Sequence, residues 1–192
     1  IVVFDEASQI RVADAVGAVT ASRRNPPTVT FVSDYHDHPA YLRVLTEHVR
    51  ASWAGHGRPD HTVLSFHGIP QSYADNGDTY RSRCEHTATL LADALGLGEE
   101  WTLSFQSRFG PAQWLPPYTV DVLADLASRD LGRVDVVCPG FAVDCLETVD
   151  EIGREAARHY HEHGGGDFRY VPALNASPAH GLALAEVLRP YL

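Results

Sequence analysis

The chain has 192 residues, 44% of them hydrophobic, which is enough to bury a sizeable core in one domain or slightly more. Its formal charge of −10 argues against a nucleic-acid surface, because neutralising phosphates requires clustered cations. All 15 basic residues are Arg, and without Lys a P-loop is excluded, so Asp5-Glu6-Ala7-Ser8 is not the acidic motif of a nucleotide-driven helicase.

Taken in chain order, the hydrophobic pattern alternates strand and helix. Strands are expected at 1 to 4, 28 to 33, 62 to 66, 102 to 106, 134 to 138 and 169 to 172. Helices are expected near 12 to 22, 39 to 54, 79 to 96, 118 to 130, 144 to 162 and 178 to 190. Asn25-Pro26-Pro27, residues 55 to 59 and Gly164-Gly165-Gly166 read as connections. Such alternation predicts an α/β fold, with parallel sheets flanked by helices on both faces.

Several side chains on this frame carry chemistry. His36 and His38 read as part of a turn and helix start, with a metal site as the alternative. The run 62 to 66 reads as a short buried strand that delivers His67 and is broken by Gly68-Ile69-Pro70. A histidine at the carboxyl end of a strand in an open α/β sheet stands where such sheets bind ligands; a hydrogen-bonded structural histidine is the alternative. Glu147 follows the strand at 134 to 138 and the turn Pro139-Gly140, so two strand ends would aim a histidine and a glutamate at one crevice.

Glu147, Glu151 and Glu155 recur four residues apart, with Asp144 three residues earlier. Four residues of α-helix advance only about 40° beyond a full turn, so all four acids are expected on one face. That face is either solvated, at a helix start where the dipole favours anions, or a conduit for cations and protons between carboxylates with spread pKa values. His159, His161 and His163 include a four-residue pair that reads as a polar helix end, with chelation as the alternative. Cys84, Cys138 and Cys145 are odd in number and widely spaced, which suggests reduced thiols in a cytoplasmic protein; Cys145 reads as a small buried side chain, with a position facing the crevice at Glu147 as the alternative. No stretch approaches the 18 or so apolar residues of a membrane span.

Five longer strings occur together: LSFHGIP at 64 to 70, YADNGDTYRSRC at 73 to 84, FQSRFG with a following WLPPYT between 105 and 119, CPGFAVDCLET at 138 to 148, and PALNASP at 172 to 178. In this order they resemble the ferrochelatases, which insert ferrous iron into a porphyrin to make haem, and in particular the form common in Gram-negative bacteria. The resemblance runs from about Ala13 to Leu192 and is strongest between Thr62 and Asn175.

The resemblance implies chelatase-like (Rossmann-like) half-domains, with residues 1–60 as the remnant of a first half and 61–192 as a second half carrying the site. It implies His67 and Glu147 as the central catalytic and metal-contacting residues, Glu151 and Glu155 as an acidic line behind them, and Trp114 as a border of the porphyrin. Asp144 is assigned with Glu151 and Glu155 to a relay, and Gln106 and Arg108 either fix the aromatic loop or meet a propionate. The implied activity is a cytoplasmic lyase of haem biosynthesis that forms protohaem from protoporphyrin and Fe²⁺. No cofactor beyond the ferrous substrate is expected, and no iron–sulfur cluster, since the chain ends AEVLRPYL without cysteine. Peripheral membrane contact is compatible with a lipid-soluble product.

The sequence also departs from the family. Ile1-Val2-Val3-Phe4 leads into Asp5-Glu6-Ala7-Ser8-Gln9 where the family has a Pro-aromatic-Pro loop, and most of the first half is missing. A truncated form is therefore expected, whose remnant exposes apolar surface and favours self-association. Two rivals stand beside the leading reading: a cobalt or nickel chelatase of another tetrapyrrole, and a non-catalytic metal- or porphyrin-binding fragment.

Overall fold

The most continuous apolar run of the sequence forms the middle of a sheet. In the structure, a computed structural model that describes residues 6–129 and 131–192, strand β1 (His61–His67) is buried at every position but its last. Burial on both faces is what an inner strand of a covered parallel sheet requires. β1 pairs in parallel with β2 (Trp101–Gln106) on one side and β3 (Arg133–Val137) on the other, and β4 (Asp167–Val171) lies beyond β3. The order β2-β1-β3-β4 sets His67 opposite Gln106 at the carboxyl edge of the sheet. The strand expected at 1 to 4 lies outside the described residues.

The helices are α1 (Glu6–Ala21), α2 (Pro39–His56), the short α3 (Gln71–Asp75), α4 (Tyr80–Leu95), α5 (Thr119–Ala127), α6 (Leu146–Val149), α7 (Ala157–Glu162) and α8 (Pro178–Leu188), which runs into a 3₁₀ turn at Arg189–Tyr191. A π-helical segment, Glu151–Ala156, joins α6 to α7. One sheet face presents Leu64, Phe66, Val137 and Val171 to a core built with α2, α4 and α8. The other presents Val63, Val134 and Val136 to Leu123 and Leu126 of α5 and Tyr160 of α7. This is the α/β architecture expected from the alternating pattern. No helix among the described residues is long and apolar enough to cross a membrane.

Local chemistry sets the helix limits. The Nδ1 of His38 accepts the Ala40 amide and Pro39 opens α2, where its missing N–H costs nothing. Buried Tyr41, Val44, Leu45, Val49 and Trp53 then follow one face of α2 at helical spacing. Gly96 closes α4 in the left-handed region at φ 68°, and the Leu97 amide reaches back to the Ala92 carbonyl. Ser177 caps α8, its hydroxyl accepting the His180 amide.

Two expectations change. Residues 28 to 33 form no strand: Val29 and Phe31 are exposed and no described strand lies beside them, so β propensity goes unrealised without a partner. The single helix expected at 144 to 162 begins only at Leu146 and passes through the π segment, where the Glu155 amide bonds five residues back to the Asp150 carbonyl at 2.9 Å. Val12 and Val19 of α1 are exposed like Val29 and Phe31, a band of uncovered apolar surface.

A buried ionic cluster ties α2 to the sheet. Asp135 of β3 is fully buried, its Oδ1 lies 3.3 Å from Arg133 Nε and from Arg169 Nε, and its Oδ2 accepts the Trp53 indole N–H at 3.1 Å. Removing the carboxylate leaves two partly buried guanidinium groups without their counter-charge. Asp135→Ala is expected to destabilise the protein by about 3–5 kcal/mol, read as a lower urea midpoint with little change in slope.

Candidate active site

The sheet opens at the carboxyl end of β1, and His67 stands at that opening. Its Nδ1 donates to the Gly68 carbonyl at 2.6 Å, and the Tyr80 hydroxyl donates to the His67 carbonyl at 2.9 Å. A carbonyl only accepts, so the neutral ring keeps its proton on Nδ1 and presents a lone pair at Nε2. That Nε2 lies 3.6 Å from Glu147 Oε1, with the two side chains 38% and 47% exposed. The rings of Trp114 and Phe141 stand 6.3 and 6.4 Å from the imidazole. Glycine at 68 permits this packing, because a Cβ there would sit 2.9 Å from the Gln106 carbonyl oxygen and 3.1 Å from the Trp114 ring.

Glu147 is placed by a buried amide. Gln106 ends β2, and its Oε1 accepts from the Ser65 hydroxyl at 2.8 Å and the Cys138 thiol at 3.3 Å. Its Nε2 donates to the backbone carbonyl of Glu147, fastening α6 to the strand ends. Burial, with Glu151 and Asp144 adding to it, pushes the Cys138 thiol well above its usual 9.0, so it stays protonated and keeps its donor role. Gln106 is thus a positioning residue that holds α6 from beneath.

Glu151 opens the π segment, and Ser107 takes both its carboxylate oxygens, through its amide at 2.6 Å and its hydroxyl at 2.7 Å. Ser107 adopts a left-handed conformation, φ 62°, that few non-glycine residues adopt. His67, Glu147, Glu151 and Glu155 all line one cleft of about 550 Å³, within the range of small-ligand sites. Trp114, Phe109 and Leu146 form its apolar rim, with Phe109 83% and Leu146 81% exposed. Arg108 adds a cation to the lining and stacks on Tyr118, 4.6 Å from its ring centroid.

Asp144 stands apart from that set. It precedes α6 rather than sharing its face, and its carboxylate accepts from Asn175 Nδ2 at 2.8 Å, Tyr170 Oη at 2.6 Å, the Ala173 amide at 3.1 Å and Thr148 Oγ1 at 3.2 Å. Burial raises this carboxyl, but those hydrogen bonds outweigh burial and hold it below its ordinary 3.8. It organises the loop before α6 and does not line the cleft. Asp150 does line it, in a place the sequence reading left empty although three residues after Glu147 is a helical neighbour.

The remaining candidates fall elsewhere. Cys145 is exposed rather than buried, its Sγ capping α6 and lying 3.8 Å from Glu147 Oε2. Cys84 is the inert thiol, pushed up to about 12 by burial. His159 and His163 have rings 4.2 Å apart, but among the described residues no third ligating side chain gathers with them.

Two stability predictions follow from the hydrogen bonding. Gln106→Leu removes three buried partners at once and is expected to cost about 1–3 kcal/mol in urea unfolding. Asp144→Ala is expected to cost a similar amount, about 1–3 kcal/mol, at neutral pH. Because the folded carboxyl titrates below 3.8, its contribution is complete above that pH and disappears as the pH falls through the lowered folded value. The difference between wild type and Asp144→Ala, followed by urea unfolding at stepped pH, is expected to shrink below 3.8.

Comparison with known proteins places this sequence in a family. A sequence model of the ferrochelatase family matches residues 4–192. The ferrochelatase of Methylococcus capsulatus is 48% identical over 180 residues, which cover 93% of this chain and 55% of that protein. The ferrochelatase of Nitrosomonas europaea is 45% identical over 182 residues, 94% of this chain and 50% of that protein. For the ferrochelatase of Thioalkalivibrio sulfidiphilus the identity is 49% over 176 residues, 91% of this chain and 48% of the relative. The chain spans about half the length of the curated relatives it matches. With a family match over nearly its whole length and an α/β fold to carry it, the chain belongs to the ferrochelatase family.

Proposed function

We propose that this chain carries the metal-inserting half of a ferrochelatase, which places Fe²⁺ into protoporphyrin IX to give protohaem. The observation that carries the reading is the pair His67 Nε2 and Glu147 Oε1, 3.6 Å apart in a cleft with an aromatic rim and further carboxylates behind. Both atoms bear lone pairs, so their approach is favourable only with a proton or a cation between them.

The chemistry needs those groups. A free-base porphyrin must lose two pyrrole protons while a hydrated divalent ion loses water and enters a bent macrocycle. His67 Nε2 accepts a pyrrole proton or contacts the metal, and Glu147 takes the complementary role. Glu151, Glu155 and the newly placed Asp150 carry cations in and protons out along the cleft wall. Asp144 is left out of this relay, its oxygens being occupied. Trp114, Phe109 and Leu146 hold the macrocycle, whose binding energy supports its distortion. Arg108 is the cleft cation suited to a propionate.

The reading needs no cofactor beyond the ferrous substrate. We place the activity in the cytoplasm, consistent with three free cysteines and no disulfide among the described residues. A second reading, porphyrin binding without turnover, is favoured by the exposure of Phe109 and Leu146 at the rim.

Insertion of zinc or ferrous iron into protoporphyrin by the purified chain, followed by absorbance and fluorescence, decides between them. Turnover is expected to fall by about 10²–10⁴-fold in His67→Ala and in Glu147→Gln, the usual size of a lost acid–base group. Porphyrin binding with no insertion above background supports the second reading, and faster insertion of cobalt or nickel supports the rival chelatase.

A further inference from the structure

We propose that His36, Asp37 and His86 form a second metal site, outside the cleft at His67, for a borderline divalent cation of which Zn²⁺ is the representative. Their donor atoms lie within 4.8 Å of one another, although the residues come from the turn before α2 and from the outer face of α4. None of the three lines the cleft that holds Glu147 and Glu151.

The hydrogen bonding prepares these rings for a cation. His36 Nδ1 donates to Asp34 Oδ1 at 2.6 Å, and a carboxylate only accepts, so the neutral ring presents its lone pair at Nε2. A carboxylate behind the distal nitrogen is the usual support of a metal-bound histidine, fixing its tautomer and raising its basicity. Arg83 holds the other oxygen of Asp34 at 3.4 Å, which keeps that support in place.

The distance between the rings is the second observation. His86 Nδ1 lies 3.4 Å from His36 Nε2, long for a hydrogen bond between nitrogens. Two imidazole nitrogens bound about 2.0–2.1 Å from a tetrahedral zinc are about 3.3–3.4 Å apart. The two rings already span one edge of that tetrahedron, and Asp37 supplies the third donor, leaving a fourth position for water. Two imidazoles and one carboxylate suit zinc and its first-row neighbours better than calcium or magnesium, which prefer oxygen.

Backbone contacts keep the donors together. Thr87, next to His86, donates its hydroxyl to the His36 carbonyl at 2.9 Å, which locks the turn against α4. His38 takes no part, since its Nδ1 caps α2, so the pairing suggested by adjacency in sequence is replaced by one across fifty residues. A bound cation would clip the segment entering α2 to α4 and so stabilise the face of the sheet that those helices cover.

The test is zinc titration by calorimetry of the chain carrying His67→Ala and Glu147→Gln, which removes the cleft as a competitor and makes the result independent of catalytic activity. One equivalent is expected to bind and to raise the melting temperature. Adding His86→Ala or Asp37→Asn, both at exposed positions, is expected to weaken binding at least about tenfold and to abolish the thermal shift. In the same background, Co²⁺ is expected to give the strong visible bands of a tetrahedral site, lost in His86→Ala. Zinc affinity and thermal response unchanged by His86→Ala would place the metal at other histidines and overturn the proposal.

Discussion

One buried side-chain amide holds together the strand ends and the short helix that form the candidate site. Gln106 sits at the end of β2, in register with His67, and its three hydrogen bonds reach Ser65 on β1, Cys138 just beyond β3 and the Glu147 carbonyl on α6. Four segments therefore converge on one residue. A strand end alone delivers His67, but the position of Glu147 is a property of α6, a helix of four residues with little stability of its own. The amide fastens so short a helix to the strand end beside His67 and thereby helps to set the 3.6 Å separation of the two side chains. The neutral Cys138 thiol belongs to the same device, since a thiolate could not donate to Gln106 Oε1.

The π segment is the second constraint. Each π turn holds more residues than an α turn, so the chain rotates less per residue through Glu151–Ala156, and Glu147, Asp150, Glu151 and Glu155 still line one cleft. Glu151 is held by Ser107 of the loop after β2, and with Glu155 and Asp150 it lines the cleft. The result is a cleft that combines acidic side chains with the apolar Phe109, Trp114 and Leu146.

Much of this was legible in the residues, for reasons that can be named. β1 and β3 announce themselves because a parallel inner strand must be apolar on both faces, and His67 stands out because it ends such a run. The helices α2 and α4 follow from apolar spacing and their caps. The segment at 28 to 33 has the same β-rich composition, but a strand is defined by its neighbour, which composition does not reveal. Asp144 misled for a related reason: its spacing matched a helix face, yet the helix starts two residues later and Asn175, Tyr170 and Thr148 claim its oxygens. Those partners are 4 to 31 positions away, so only the last turn of the fold brings them together.

The same limit explains why the two histidine clusters read differently in sequence and in space. His159 and His163 have ideal helical spacing, yet no third donor joins them among the described residues. His36 and His86 have no sequence relation, yet ring nitrogens of the two meet at 3.4 Å because Asp34 orients one ring and Thr87 anchors the turn. Spacing reports which side chains can meet. Whether their donor atoms stay available depends on what else satisfies them, and that is decided by hydrogen-bond partners the chain supplies from elsewhere. The carboxylates obey the same rule: Asp144 is spent on structure, Glu151 is half spent on Ser107, and Glu147 keeps its side chain for the cleft because Gln106 takes its backbone instead.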